Sequence, residues 1–310
     1  MAERDFIRWI REQTRQHADV IIPPGDDCGG LRWADSQSLL VTTDMLLEGS
    51  CFLRDAGPER IGRKAMSVNL SDMAAMAAIP IAAVVSVGFP HDISEEWAKA
   101  CFTALQQQAT RFNTIILGGD TNAWDGPICI NVTFLGRPTD RGAVRRSGAK
   151  PGDALLVTGE LGGSILGHHL DFTPRVAEAQ LLQSLVDLHA MIDLSDGLAT
   201  DVHHLCNESG CGVEIWADQL PVREAVHHLH DGKTPVEHAL SDGEDFELLF
   251  ACSESDAAKL METQPLKHLG VNLSHIGRFL SVRAVQLKID GMYYPLASTG
   301  YEHQFGQHVR

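Results

Sequence analysis

The stretch IAAVVSVGFPHDISEEWAKACFTALQQQATRFNTIILGG, residues 81–119, decides the fold class. IAAVVSVGF (81–89) is an apolar run rich in valine and reads as a buried strand. Ser94 precedes two glutamates and caps a helix expected over 94–112, and NTIILGG returns the chain to strand. Outward from this strand–helix–strand unit the alternation continues. PERIGRKAMSVNLSDMAAMAA (58–78) opens on proline, has no breaker after Gly62 and predicts a long helix whose Ala-rich end allows close packing. SLLVTTDM (38–45) is a β-rich run ending on an aspartate, PICINVTFLG is a further strand, and Phe6, Ile7, Trp9 and Ile10 predict an amphipathic helix over 3–16. Alternation of this kind is the mark of an α/β layer architecture.

The polar, basic segment TDRGAVRRSGAKPGD (139–153) is the candidate junction, dividing the chain into units 1–140 and 141–310. Two units are also the expectation for 310 residues, which exceeds the usual single-core limit. The second unit reads as strand ALLVTG (154–159), the glycine-rich GELGGSILG, and a helix near 174–189. Strand AMIDLS, a helix from Leu198 to about Glu208, and strands GVEIWA, FELLFAC, HIGRFLSV and AVQLKID complete it.

With 41 acidic and 25 basic residues the chain carries a formal charge of −16, which argues against nucleic acid or an anionic membrane as partner. No apolar run approaches the length of a bilayer span, and MAERDFIRWIREQTRQ has no apolar leader core, so a cytoplasmic protein is expected. The seven cysteines are odd in number, widely spread and without a CxxC, which reads as reduced, mostly buried thiols.

Against that charge, the stretch PPGDDCGG (23–30) sets Asp26 and Asp27 side by side. Carboxylates recur beside apolar runs: Asp44 in TTD, Asp72 in NLSD, Asp120 in LGGD, Asp193 and Asp196 in DLSDG, and Asp242, Glu244 and Asp245 in SDGED. Any one of these is more often a turn former or helix cap. As a set they point to loops beyond strand ends, where open α/β sheets bind ligands. Converging carboxylates repel unless cations sit among them, and hard ions such as Mg²⁺ take oxygen ligands while bridging to substrate phosphates. That chemistry suits phosphoryl transfer. There is no GxxxxGK[ST], HRD or DFG, which excludes the P-loop and protein-kinase classes. Arg145, Arg146 and Lys150 in RRSGAKPGD, together with Ser195, are the candidate phosphate-side groups, with a solvated junction loop as the alternative.

Taken in order, GDD, TTD, NLSDMAAM, GGDT, RSGAKPGD, DLSDG and SDGEDFEL resemble the thiamine-monophosphate kinases, within the superfamily typified by aminoimidazole ribonucleotide synthetase. The resemblance runs from about residue 23 to 250, with a fainter echo in GYEHQF. It implies a two-domain α/β (α+β) fold whose N-terminal sheet pairs with its twin in a homodimer. ATP and several Mg²⁺ ions would lie in the cleft, and the γ-phosphate of ATP would pass directly to thiamine monophosphate. Carried over residue by residue, it implies Asp27, Asp44, Asp72, Asp120, Asp193 and Asp196 as metal ligands, with Thr42 and Thr43 in the metal segment. Gly119, Asp120, Arg146 and Ser195 become nucleotide contacts, and Glu244 a substrate contact. No residue is implied as a general base, since a phosphate monoester oxygen is already anionic near neutral pH.

Two departures fall on the acceptor side. The family has EGxHF where this chain has Glu48-Gly49-Ser50-Cys51-Phe52, so Cys51 replaces an imidazole; and Ser298 stands near the place of a tryptophan. Tyr301 is the aromatic surface expected for the acceptor ring, and the segment between Gly163 and Pro174 is short for the family. A kinase for another small phosphorylated acceptor, or a nucleotide-binding homologue without turnover, are the competing readings. A zinc or nickel site built on the histidine pairs 168–169, 203–204 and 227–228 is disfavoured, because adjacent helical residues point about 100° apart.

Overall fold

The computed structural model describes residues 18–23, 25–33 and 37–300; the helix expected over 3–16 and the ring of Tyr301 lie outside the described residues. Within them the chain forms two sheets. The first is built from β1 (Val20–Ile22), β2 (Gly29–Trp33), β3 (Gln37–Leu47), β4 (Ile79–Pro90), β5 (Ile115–Trp124) and β6 (Cys129–Arg137), in the order β1-β2-β3-β6-β4-β5. The strand–helix–strand unit of the opening stretch is β4, α2 (Glu95–Arg111) and β5, with α1 (Pro58–Ala75) preceding it. β4 and β5 pair in parallel, the geometry a helical crossover permits. The Ser94 hydroxyl accepts from the Trp97 amide at 3.1 Å, satisfying one of the donors a helix N-terminus leaves open.

The second sheet follows the irregular segment 138–153 and comprises β7 (Ala154–Thr158), β8 (Leu188–Asp193), β9 (Gly212–Trp216), β10 (Leu248–Cys252), β11 (Leu273–Leu280), β12 (Val285–Ile289) and β13 (Met292–Pro295). Its order is β13-β12-β9-β11-β7-β10-β8. The helices here are α3 (His168–Asp171), α4 (Val176–Leu185), α5 (Leu198–Ser209), α6 (Pro235–Ser241) and α7 (Glu254–Thr263). β10 is buried throughout, and its residues alternate between two cores: Leu248, Phe250 and Cys252 face one, Leu249 and Ala251 the other.

The mixed α/β two-sheet architecture is the expected one, but its sheets are mostly antiparallel. Among the strands of the described residues only β4–β5 and β9–β12 pair in parallel. Three local expectations change with this. Asp44 is not at a strand end but inside the 11-residue β3, opposite Val132. Asp120 is not past its strand but within β5, opposite Ser86. The helix expected near 174–189 is shorter, because β8 begins at Leu188. The rule that ligands gather beyond parallel strand ends therefore does not place the site here.

What places it is α1. This helix is buried along most of its length and packs on α2, β3 and β6 of the first unit and on α3, α4 and β8 of the second. One hydrophobic core consequently runs through both units, joining Ile61, Met66, Leu70 and Phe134 to Leu170, Leu182, Phe246 and Phe250. Gly62 makes the approach to α2 possible, since a Cβ there would stand 2.2 Å from the Cys101 carbonyl oxygen. After Ala75 the helix is stopped by Ala77, whose φ of 49° turns the chain into β4.

Candidate functional site

Along the inner face of α1, Lys64, Val68 and Asp72 recur at the helical i, i+4, i+8 spacing and line one cavity of about 390 Å³ between the two units. Asp44, Met45 and Leu46 reach it from β3. Asp193, Ser195 and Asp196 follow β8, and Asp242 to Glu244 come from the loop before β10. The lining holds six carboxylates and, among the described residues, one cationic side chain, Lys64.

At the Asp72 end the structure brings together carboxylates far apart in sequence. Oxygens of Asp27, Asp72 and Asp193 lie within 4.8 Å of one another. Thr42 donates to Asp72, and Ser71 donates to Asp193 at 2.6 Å. Thr42 and Asp44 share a face of β3 because strand residues two apart point the same way. Thr43 takes the opposite face, is exposed and bonds to Thr133 at 2.9 Å, so the structure places it away from the carboxylates. Burial, then the charges of Asp44, Asp193 and Asp27, pushes the Asp72 carboxyl well above the usual range. Burial and the charge of Asp27 do the same to Asp193, and Asp44 is pushed up to about 6. A cation placed among such carboxyls would favour their charged form.

Asp26 and Asp27 prove to have different tasks. Asp26 accepts the Arg146 amide at 2.6 Å and so ties its turn to the junction loop. Asp27, its side chain 1% exposed, receives the Arg146 guanidinium in a two-pronged ion pair of 2.8 and 3.0 Å. Burial alone would lower the guanidinium, but the charge and hydrogen bonds of Asp27 raise it overall.

Asp196 belongs to a second group with Asp201 and His204, whose ligand atoms also lie within 4.8 Å of one another. Asp201, buried in the first turn of α5, accepts the amides of Asp196 and Gly197 at 3.1 Å each. Asp242 and Asp245 hold backbone: they accept the amides of Gly163 at 2.7 Å and Gly162 at 3.0 Å. The glycine-rich 159–163 loop therefore spends these donors on its own carboxylates rather than offering them as a cradle. At the other end of the cavity, Lys64 Nζ donates to the Cys51 carbonyl and to Glu244, each at 2.6 Å, and so bridges the two.

Gly119 and Asp120 are not in this cluster. They sit on the exposed edge strand β5, three strands from Asp44 in the sheet order. Gly119 has a structural reason to be glycine, since its Cβ would stand 1.7 Å from the Val85 carbonyl oxygen of β4. Lys64 and Asp201 were missed at the sequence level. Asp201 had the five-residue spacing from Asp196 to signal it; Lys64 had its eight-residue spacing from Asp72.

Comparison with known proteins follows the same outline. The family model for AIR synthase related protein, N-terminal domain, matches residues 25–137, and that for the C-terminal domain matches residues 150–290. The thiamine-monophosphate kinase of Rhodopirellula baltica is 37% identical over 98% of this chain and 96% of its own. That of Salmonella typhimurium is 34% identical over 96% of each. Among solved structures, AaThiL complexed with AMPPCP and TMP superimposes with a TM-score of 0.83 at 29% identity, covering 98% of this chain and 97% of that one.

Proposed function

The chain belongs to the thiamine-monophosphate kinase family, and we propose that it transfers the γ-phosphate of ATP to the phosphate of thiamine monophosphate, giving thiamine diphosphate and ADP. The observation that carries this reading is the convergence of Asp27 on Asp72 and Asp193, which line one cavity with Lys64 and Glu244. A cluster of converging carboxylates suits metal-bound phosphates.

The donors fit magnesium: Asp27, Asp72 and Asp193 offer only hard carboxylate oxygens, crowded and largely buried, and the Asp196–Asp201 group adds one imidazole, His204, with no thiolate in either. Asp27, Asp72 and Asp193, with Asp44 beside them, would hold one part of the ion set, and Asp196 another. Magnesium supplies neutralisation of the phosphate oxygens while the two phosphates are brought into line. The chain's own residues do the rest. Thr42 and Ser71 fix the orientation of Asp72 and Asp193 by donating to them. Arg146, paired with Asp27, and Ser195, which lines the cavity, are the groups that would meet a nucleotide phosphate. No side chain is needed as general base, because the attacking phosphate oxygen carries its charge already. For Gly119 and Asp120 a nucleotide role requires a ligand lying along the sheet from Asp44 to β5, about 14 Å at the usual strand spacing.

The same reading includes a unit boundary at residues 140/141 and a homodimer in which the first sheet pairs with its twin. Ile115, Leu117 and Trp124, large apolar side chains exposed on β5, support that face. Seven free cysteines are consistent with a reducing, cytoplasmic setting. Among the described residues no helix is long and apolar enough to cross a membrane.

The test is ADP release with ATP and Mg²⁺ across thiamine monophosphate, thiamine and other small phosphorylated acceptors. Thiamine monophosphate is expected to be preferred, and Asp27→Asn, Asp72→Asn and Asp193→Asn each to abolish turnover. Preference for a different acceptor would favour the second reading, which the replacement of imidazole by Cys51 keeps open; wild-type activity in all three variants would overturn the proposed site.

A further inference from the structure

Lys64 is fully buried, yet it lines the cavity. A buried ammonium must be paired and hydrogen-bonded to be tolerated. Here one carboxylate oxygen, Glu244 Oε1, and one carbonyl, that of Cys51, do the pairing. Glu244 is held for this in an unusual way. It lies at a φ of 51°, between Gly243 and a Phe246 whose φ is also positive, and its amide donates to the Ser195 carbonyl at 2.7 Å. Left-handed backbone at a non-glycine residue costs energy and persists where the surrounding structure over-determines it. Its side chain is about one-third exposed, and Oε2 has no hydrogen bond among the described residues. One oxygen is locked to Lys64, and Glu244 itself lines the cavity.

Distance along α1 tells what Oε2 would meet. Lys64 and Asp72 are eight residues apart, so their Cα atoms are about 12 Å apart, and a helical side chain leans toward the N-terminus, carrying Nζ further from Asp72. An acceptor whose phosphate is delivered to the Asp72 end therefore puts its far ring at Glu244. The walls between are apolar. Val68, Met45 and Phe246 are among the lining residues, and Phe246 is stacked on Phe172 with centroids 4.0 Å apart.

We propose that Lys64 is a positioning residue for acceptor selection: by holding one oxygen of Glu244, it aims the other at the exocyclic amine of an aminopyrimidine ring. This rests on the function proposed above and deepens it. The cavity would then choose a two-ring acceptor over the phosphorylated thiazole half alone, because only the former satisfies the free oxygen. Cys51 sharpens the assignment, since its side chain cannot give the ring the hydrogen bonds an imidazole would.

The test compares wild type, Lys64→Met, Glu244→Gln and the double variant, with thiamine monophosphate and with the phosphorylated thiazole alcohol lacking the pyrimidine. In each single variant KM for thiamine monophosphate is expected to rise about tenfold to a hundredfold, the range for losing a hydrogen bond to a charged group. KM for ATP should stay within about twofold, and the preference for the two-ring acceptor should fall by the same factor as KM rises. The double variant should be no worse than either single one, because the two residues act as a unit. Unchanged acceptor discrimination, or equal losses for both substrates, would overturn the inference. If Lys64→Met fails to fold, Glu244→Gln decides alone. A wild type inactive on thiamine monophosphate sinks the proposed function and this inference together; an active wild type with unchanged discrimination in the variants sinks only the latter.

Discussion

Without a metal, Asp27 is neutralised by Arg146, and a metal at Asp27 must compete with that guanidinium. The perturbation that exposes this competition is Arg146→Ala. The pair is two-pronged, at 2.8 and 3.0 Å, with the Asp27 side chain 1% and the Arg146 side chain 22% exposed. Removing one partner of so buried a pair costs about 3–5 kcal/mol, because the other charge is left without compensation. At roughly 2 °C per kcal/mol for a chain of this size, the variant should melt roughly 6–10 °C lower in EDTA. Magnesium should then help it more than it helps the wild type. If the lost competition is worth only 1.4 kcal/mol, the Mg²⁺ concentration at half-effect falls about tenfold. The assay is a thermal melt across a MgCl₂ series without nucleotide. Arg145→Ala serves as control, removing the same charge from an exposed neighbour that only donates to the Ile21 carbonyl at 3.2 Å. An Arg146→Ala midpoint equal to or higher than wild type, or an equal fall in the Arg145→Ala control, would refute the reasoning. Turnover should drop in Arg146→Ala while its metal affinity rises, a combination that simple damage to the fold does not produce.

Asp72→Asn should raise the melting temperature in EDTA by a few degrees while abolishing turnover, because Asp72 faces the charges of Asp44, Asp193 and Asp27; a destabilised variant in EDTA would contradict this. Gly119→Ala should lower stability by about 1–3 kcal/mol, seen as an early melt, since the new methyl meets the Val85 carbonyl; unchanged melting with lost ATP binding would instead make the glycine purely a ligand contact. Asp245, buried beside Arg223, Glu247 and the Gly162 amide, with His168 on its carbonyl, has its carboxyl pushed by burial from 3.8 up to about 7. It binds its proton more tightly folded than unfolded, so its contribution is whole below pH 3.8 and lost as pH rises to about 7. Denaturant melts should therefore lose up to about 4 kcal/mol across that window, and Asp245→Asn should flatten the slope; an unchanged slope in the variant would disprove it.

The opening strand–helix–strand stretch was legible because its signals were local: a Val-rich run, a capping Ser94 and a Gly pair. The α5 helix after Asp196 was legible for the same reason. The convergence of Asp27, Asp72 and Asp193 was legible only as a list of similar words in the chain, since nothing in their spacing says that α1 crosses between two sheets. Where the reading leaned on strand ends it went astray. β3 runs on past Asp44 to Leu47, and β5 runs on through both glycines and Asp120 to Trp124. In both cases pairing with a neighbouring strand overrides the local turn signal, Asp44 with Val132 and Asp120 with Ser86. Composition left open whether Asp242 and Asp245 are ligands; they accept the amides of Gly163 and Gly162, a tertiary contact that no local pattern encodes.

α1 explains why site and core cannot be separated in this chain. Its outer face packs on α2 through Gly62, while its inner face carries Lys64, Val68 and Asp72 into the cavity. Ser71, the next residue back from Asp72, reaches Asp193 in the second unit. A rotation of α1 by one residue, about 100°, would bury Asp72 in the shared core and take Ser71 from Asp193. The packing that holds the two units together thus also sets the angle at which the carboxylates meet. A change in the α1–α2 contact, far from any substrate atom, should disturb metal binding before it disturbs the acceptor end, where Lys64 is held by Cys51 and Glu244 from two directions.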